Sequence, residues 1–365
     1  MMLQRAAMPF PRFLASVVVL GVLSIPAFPQ HYTQTNLVSN NGVPGTKSDP
    51  KLVNAWGISR SSGSPWWVSN NGTATSTLYT GDGTALPLVV TVLGVTSPAA
   101  PTGTIFNGTQ DFKINGAPAN FLFASEDGTI SGWNGGLGTQ TLVVASKDTA
   151  IYKGLAMATV QGAAYLYATD FHNGTVDVYD ANFQPVRTHG METDMSRHCR
   201  DRRLRGFAPF NIQNIGGTLF VTFAKQDANK KDDVPGPGNG FVAAFTPLGR
   251  LIRVYRHGPW LNSPWGLTLA PDDFGVFSHD LLVGQFGGGQ IAAYNVVSGE
   301  FEGLLLDTSD HPIVIDGLWG LGFGNEPNAG PSTTLFFAAG PDHESNGLFG
   351  TLTPAVGDPN FGNAR

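Results

Sequence analysis

The sequence predicts an all-β fold, a six-bladed β-propeller of four-stranded antiparallel blades, and three observations carry that expectation. Short segments alternate apolar and polar residues at period two, as half-buried strands do. These segments come in pairs joined by Gly-containing turns, the arrangement of β-hairpins. The hairpins recur six times, with turn glycines near Gly72, Gly128, Gly174, Gly240, Gly288 and Gly347, a spacing of about 45 to 65 residues that suits propeller blades. A single hairpin cannot bury a face in water, so six of them imply stacking around an axis.

The chain opens with Arg5 and Arg12 ahead of an apolar run from Phe13 to Ile25, with no acidic residue in its first thirty. This pattern predicts a secretory signal peptide over residues 1–27 and a secreted or periplasmic protein, since the run is short for a membrane span. The segment His31–Val38 alternates but has no hairpin partner of its own, and the last repeat lacks an outer strand. We therefore expect it to complete blade six and close the ring of a single domain spanning residues 31–355, with residues 356–365 as a tail.

The hairpins follow in order: Trp66–Tyr79, Phe121–Trp133, Tyr165–Tyr179, Leu219–Phe245 with a long polar insert, Leu281–Tyr294 and Leu335–Leu352. An inner strand precedes each. Trp56-Gly57, Trp265-Gly266 and Trp319-Gly320 mark three of them, Lys153-Gly154 and Phe210-Asn211 are Trp-less versions, and blade two takes Thr104–Asn107. A large aromatic there is expected to pack between neighbouring blades, with the glycine permitting close backbone approach. Outer strands are expected at Pro87–Leu93, Thr141–Ala145, Gln184–Thr188, Leu251–Tyr255 and Glu300–Leu306. Met191–Arg205, with five of the thirteen arginines and the only cysteine, Cys199, has no period and is expected to be a dispensable loop or a reading-frame error.

Composition narrows the function. The formal charge is −6, and −8 without Arg5 and Arg12, with no extended basic face elsewhere, so nucleic acid is not an expected partner. One cysteine excludes an intramolecular disulfide. No membrane contact is expected after signal cleavage, and the protein is expected to be a monomer. Serine-hydrolase, zinc-protease and phosphate-loop motifs are absent, Gly287-Gly288-Gly289 lacking the Lys-Ser/Thr that a phosphate loop needs.

The turn between second and third strands and the opening of the inner strand share one face of a propeller. Aligned hairpins bring Asn70, Glu126, Asp170 and Gln285 to that face, with His172, Asp342, His343 and Glu344 in adjoining turns. Asn54, Glu126, Asp170 and Asp316 come from four blades, and such oxygen donors suit a hard cation such as calcium. Asp and Asn also close turns on their own backbone, which accounts for many of them singly. Two uses compete. One is a binding propeller taking a small molecule, glycan or peptide at the axial face, with Asn70, His172, Gln285, Asp342, His343 and Glu344 as contacts. The other is a calcium-dependent lactonase- or esterase-type hydrolase, with Asn54, Glu126, Asp170 and Asp316 at the metal and Glu126 or Asp170 moving the proton. A structural or adhesive role is the third.

Gly154-Leu155-Ala156 followed by Leu166-Tyr167-Ala168-Thr169-Asp170 resembles an NHL-type repeat, a signature shared with gluconolactonase-like calcium-dependent hydrolases. The whole chain, through Asn54–Gly57, Glu126–Asn134, Gly206–Gln213, Asn262–Leu267 and Asp316–Leu321, resembles a family of uncharacterised secreted bacterial six-bladed propellers. The hydrolase resemblance implies one metal held by a Glu, an Asn and an Asp, which map to positions such as Asn54, Asn262 or Asp316, and Asp170. At Tyr152-Lys153-Gly154 this chain departs from the Asn usual before that inner strand.

Overall fold

A computed structural model describes residues 30–186 and 206–356. The leader, Met191–Arg205 with Cys199, and the tail beyond residue 356 lie outside the described residues. Six antiparallel sheets follow one another around an axis, each running from an inner to an outer strand. Blade one consists of Ala55–Ser59, Trp66–Asn70, Thr75–Tyr79 and Ala85–Thr91. Blade two consists of Pro101–Phe106, Phe121–Ser125, Thr129–Trp133 and Leu142–Ser146, so its inner strand starts three residues earlier than expected. Blade three has three described strands, Tyr152–Val160, Ala163–Asp170 and Thr175–Tyr179. Its outer position is marked by a bridge from Tyr179 to Pro185, and the strand expected at Gln184–Thr188 runs past residue 186, outside the described residues.

Blades four and five each have four strands, with inner strands Phe207–Ile215 and Pro264–Leu269. In blade six the strands Leu318–Phe323, Leu335–Ala339 and Leu348–Pro354 are completed by Tyr32–Ser39, which pairs antiparallel with the last of them from Tyr32↔Pro354 to Ser39↔Leu348. Thus the first described strand closes the ring. A two-residue strand, Lys47–Ser48, adds a parallel fifth member. The closing strand is fastened by burial of Tyr32 and Val38 and by the Tyr32 hydroxyl, which donates to the Phe274 carbonyl at 2.8 Å.

Between blades the apolar faces meet in separate layers, as alternation demands. Trp66, Val68 and Tyr79 face blade six, whereas Trp67 and Leu78 meet Phe121, Phe123 and Trp133 of blade two. At the axis the inner strands lie backbone to backbone. A Cβ on Gly57 would meet the Thr102 carbonyl oxygen at 2.5 Å, and one on Gly320 would meet that of Trp56 at 2.7 Å. Asn211 stands at the corresponding place in blade four and donates instead to the Trp265 carbonyl.

Candidate functional site at the axial mouth

Each inner strand begins with a register shift, between Ala55 and Ile58, Tyr152 and Gly154, Pro209 and Asn211, Pro264 and Leu267, and Leu318 and Leu321 in the clearest cases. A bulge re-aims a side chain. Here it sends the second residue of the strand to the axis, so Trp56, Trp265 and Trp319 do not pack between blades as expected. They stack on one another and plug the channel. Trp56 and Trp319 lie 3.8 Å apart between ring centroids, Phe286 stacks on the other side of Trp319 at 3.8 Å, and Trp265 meets both indoles edge-on. Phe171 and Phe210 fill the remainder.

In blade three the plug position is Lys153. Its ammonium lies 5.2 Å from the centre of the Trp56 ring, a cation–π arrangement, and its side chain is 2% exposed. A buried ammonium must be paired. Lys153 donates to Glu126 Oε1 from blade two and lies 3.2 Å from Asp232 Oδ1 in the polar insert of blade four. Glu126 also accepts from Asn71 Nδ2 at 3.3 Å, and Asn54 donates to Asn71 Oδ1 at 3.3 Å and to Glu344 Oε2 at 2.8 Å. The indole of Trp319 donates to Asn54 Oδ1 at 3.0 Å, tying this network to the plug. Side chains from blades one, two, three, four and six thus join one polar network, in which Glu126 and Asp232 are the groups that touch the ammonium.

Glu344 reaches the axis because its loop is left-handed. Asp342, His343 and Glu344 have φ of 57°, 52° and 65° in succession. Non-glycine residues seldom adopt this conformation even singly, so the loop holds backbone strain at the site. Burial raises the Glu344 carboxyl above its ordinary value, nearby Glu126 adds to the rise, and Lys153 opposes it. Burial also raises Asp233. For Glu126, burial works upward, but the charge and hydrogen bond of Lys153 outweigh it and leave the carboxyl lowered. The Trp56 indole N–H, Asn70 Oδ1, Asp233 Oδ2 and the Ser263 hydroxyl are among the buried polar side-chain atoms that have no hydrogen-bond partner among the described residues.

The sequence-derived site residues divide. Asn54, Glu126 and Glu344 belong to the axial network. Asp170 is fully buried but is bound to Lys147 at 2.8 Å, to Asn173, and to the Ile151 N–H, a blade-three cluster shared with Asp177. Asp316 accepts the backbone N–H of Asp342, which orders that strained loop. Asn70 is buried against Thr75 and Thr77, and Gln285 accepts from the Asn262 N–H, so both serve their own blades. Asp342 and His343 are exposed, and His172 is half-buried with its carbonyl accepting from Gln226.

The slip is one residue. The Asn54 position, next to the strand opening Ala55-Trp56, corresponds to Ser263 and Gly317 rather than Asn262 and Asp316. All three have positive φ. Likewise Glu126 lies one residue beyond the ends of the second strands and corresponds to Asn71, Phe171 and Phe286, which turn to the axis. Asn70, Asp170 and Gln285 end those strands and turn into the blades. Sequence reasoning did not assign roles to Lys153 or Asp232. The Lys153-Gly154 departure and the charged run Asp227–Asp233, in a chain with few charges, were the available signals.

The donor set does not fit the calcium expected from sequence. Calcium takes about six to eight oxygens at about 2.3–2.6 Å. Here an ammonium holds Glu126 and Asp232, Asp170 and Asp316 are engaged elsewhere, and no three His, Cys, Asp or Glu side chains among the described residues are grouped to hold a metal ion.

No family model matches the chain. Among solved structures, a streptogramin B lyase superposes with a TM-score of 0.50 at 13% identity, covering 89% of this chain and 98% of that one. A structural genomics protein of unknown function from Bacteroides thetaiotaomicron gives 0.53 at 10%, covering 88% and 76%. These likenesses concern the propeller fold alone. An uncharacterised protein of Acanthamoeba polyphaga mimivirus is 32% identical over 328 residues, 87% of this chain and 78% of that protein. A second uncharacterised mimivirus protein is 30% identical over 328 residues, 87% and 84%. Both are viral proteins. At this identity, over most of both lengths, the chain belongs to the family that includes these two mimivirus proteins.

Proposed function

We propose that the protein is a secreted binding propeller that takes a small polar molecule, glycan or peptide at its axial mouth. The observation that carries this reading is that Asn54, Asn71, Glu126, Asp232 and Glu344, from four blades, lie at the axis around the buried Lys153, with Glu126 and Asp232 on its ammonium. Turn-closing residues have no need of a common centre. A plug of stacked aromatics forms an apolar floor, and fixed polar groups above it set orientation, the usual division of labour in ligand sites. The carboxyls of Glu126, Asp232, Asp233 and Glu344 outnumber Lys153 and Lys231, so the mouth favours hydroxyl- or amine-bearing ligands over anions. Secretion rests on Arg5, Arg12 and the apolar run behind them.

A thermal-shift screen of soluble glycans, short peptides and amines tests the reading, because a ligand of the folded state raises its melting temperature by mass action. The expected outcome is a hit whose effect is lost in Glu344→Gln. A hit that persists in Glu344→Gln and Asn54→Ala binds elsewhere and refutes the axial assignment. N-terminal sequencing of the exported protein should find a start near residue 28.

A further inference from the structure

The channel does not end at the aromatic plug. On the far side, where the inner strands finish, a cavity of about 360 Å³ opens to the opposite face, lined by all six blades. A smaller space reaches from it up to Trp265 and Asn211 beneath the plug. Ile105, Met157 and Leu321 give it apolar walls.

Four polar side chains face this cavity with bonding capacity to spare. Arg60 donates Nε to the Phe323 carbonyl, Nη2 to the Gly324 carbonyl at 2.8 Å and, at 3.5 Å, Nη1 to the Ser61 carbonyl, which leaves one proton on each terminal nitrogen, and its guanidinium lies 5.6 Å from the centre of the Trp66 ring. No carboxylate among the described residues pairs with it, and burial lowers its pKa without an acidic neighbour to offset the effect. The Ser59 and Thr268 hydroxyls and the Gln213 amide also line the cavity and have no side-chain hydrogen bond to a described residue. Backbone carbonyls hold the guanidinium in place without neutralising it, so its positive charge is free to attract an anion entering the cavity. Its planar fork matches a carboxylate.

We propose that this second axial cavity is a binding site for a small monocarboxylate with an apolar body, the carboxylate on Arg60 and the body between Ile105, Met157 and Leu321. The volume lies in the range of small-ligand pockets. Arg60, Gln213 and Thr268 come from blades one, four and five, so the ligand would be held across the channel and not by one loop. The site is separate from the carboxylate-rich mouth, from which the plug divides it, and the two prefer opposite charges.

Isothermal titration of the whole protein with phenylacetate, 4-methylpentanoate and acetate, each beside its primary amide, tests this. The two apolar acids should bind, with their amides and acetate roughly tenfold weaker or more, since a charge-assisted pair is lost in the first case and the apolar contact in the second. Arg60→Met should abolish the preference for acid over amide. Because Arg60 also joins blades one and six, Gln213→Ala and the cavity-filling Met157→Trp serve as independent variants, both expected to weaken the acids while Glu344→Gln leaves them unchanged. Equal binding of acid and amide, no binding at millimolar concentration, or affinities untouched by Met157→Trp would overturn the proposal.

Discussion

At the scale of single residues, Lys153 decides the character of the mouth. Three of its counterparts in other blades are tryptophans that complete an apolar plug, whereas Lys153 brings a charge that only Glu126 and Asp232 make tolerable. Removing one member of a buried pair leaves the other uncompensated, at a cost of about 3–5 kcal/mol. Lys153→Met should therefore destabilise by about that much in urea unfolding at neutral pH, and adding Glu126→Gln should recover a large part. A strictly additive double mutant would mean that the pair does not interact. Glu344 carries a pH signature. Its carboxyl is raised in the folded state, above an ordinary value of 4.5, by burial and by Glu126, with Lys153 opposing and Asn54 and Asp232 also facing it. The folded form then binds the proton more tightly, so this contribution to stability is fully present below 4.5 and is lost as pH rises through the raised value. Glu344→Gln should be less sensitive to that rise than the wild type, with the remaining slope attributable to Asp233. Identical stability profiles for the two proteins from pH 4 to 8 would remove Glu344 from the account.

At the scale of elements, the strands were legible because period-two alternation reports which face is buried, and the hairpins because their turns need glycine or asparagine. The closing role of Tyr32–Ser39 was legible for a similar reason, an alternating segment with no partner beside a blade with a free edge. Deleting residues 30–39 would expose the edge of Leu348–Pro354 and the surfaces that Tyr32 and Val38 cover. The loss should be about 3 kcal/mol or more from those two side chains alone, and the bare edge should drive self-association, visible by size-exclusion chromatography. A truncated chain that stays monomeric and melts like the parent would show that the ring closes without it. What sequence could not supply was register at the axis. The bulges at the strand openings leave no mark in composition, and a one-residue slip sends a side chain to the other face. That slip separates Glu126 from Asp170, and Asn54 from Asp316. The left-handed path of Asp342–Glu344 was equally hidden, since no glycine announces it, although three successive ionisable residues marked the loop as unusual.

At the scale of the whole molecule, one channel presents two unlike ends divided by stacked indoles. The mouth is rich in carboxyls around a buried ammonium, and the opposite cavity combines apolar walls with Ser59, Gln213, Thr268 and a guanidinium that no described carboxylate pairs. The plug between them comes from the second residues of three inner strands, Trp56, Trp265 and Trp319, with Lys153 standing at the same place in blade three. At the mouth the Lys153 ammonium holds the carboxylates of Glu126 and Asp232, the place a divalent metal would otherwise take. Thermal unfolding with and without millimolar calcium, run on the wild type, Lys153→Ser and Glu126→Gln, tests it most directly. The account predicts an unmoved wild-type curve, together with a lowered Lys153→Ser curve that partly recovers as calcium replaces the missing charge. A wild-type midpoint that climbs with calcium, and no longer climbs in Glu126→Gln, would contradict it.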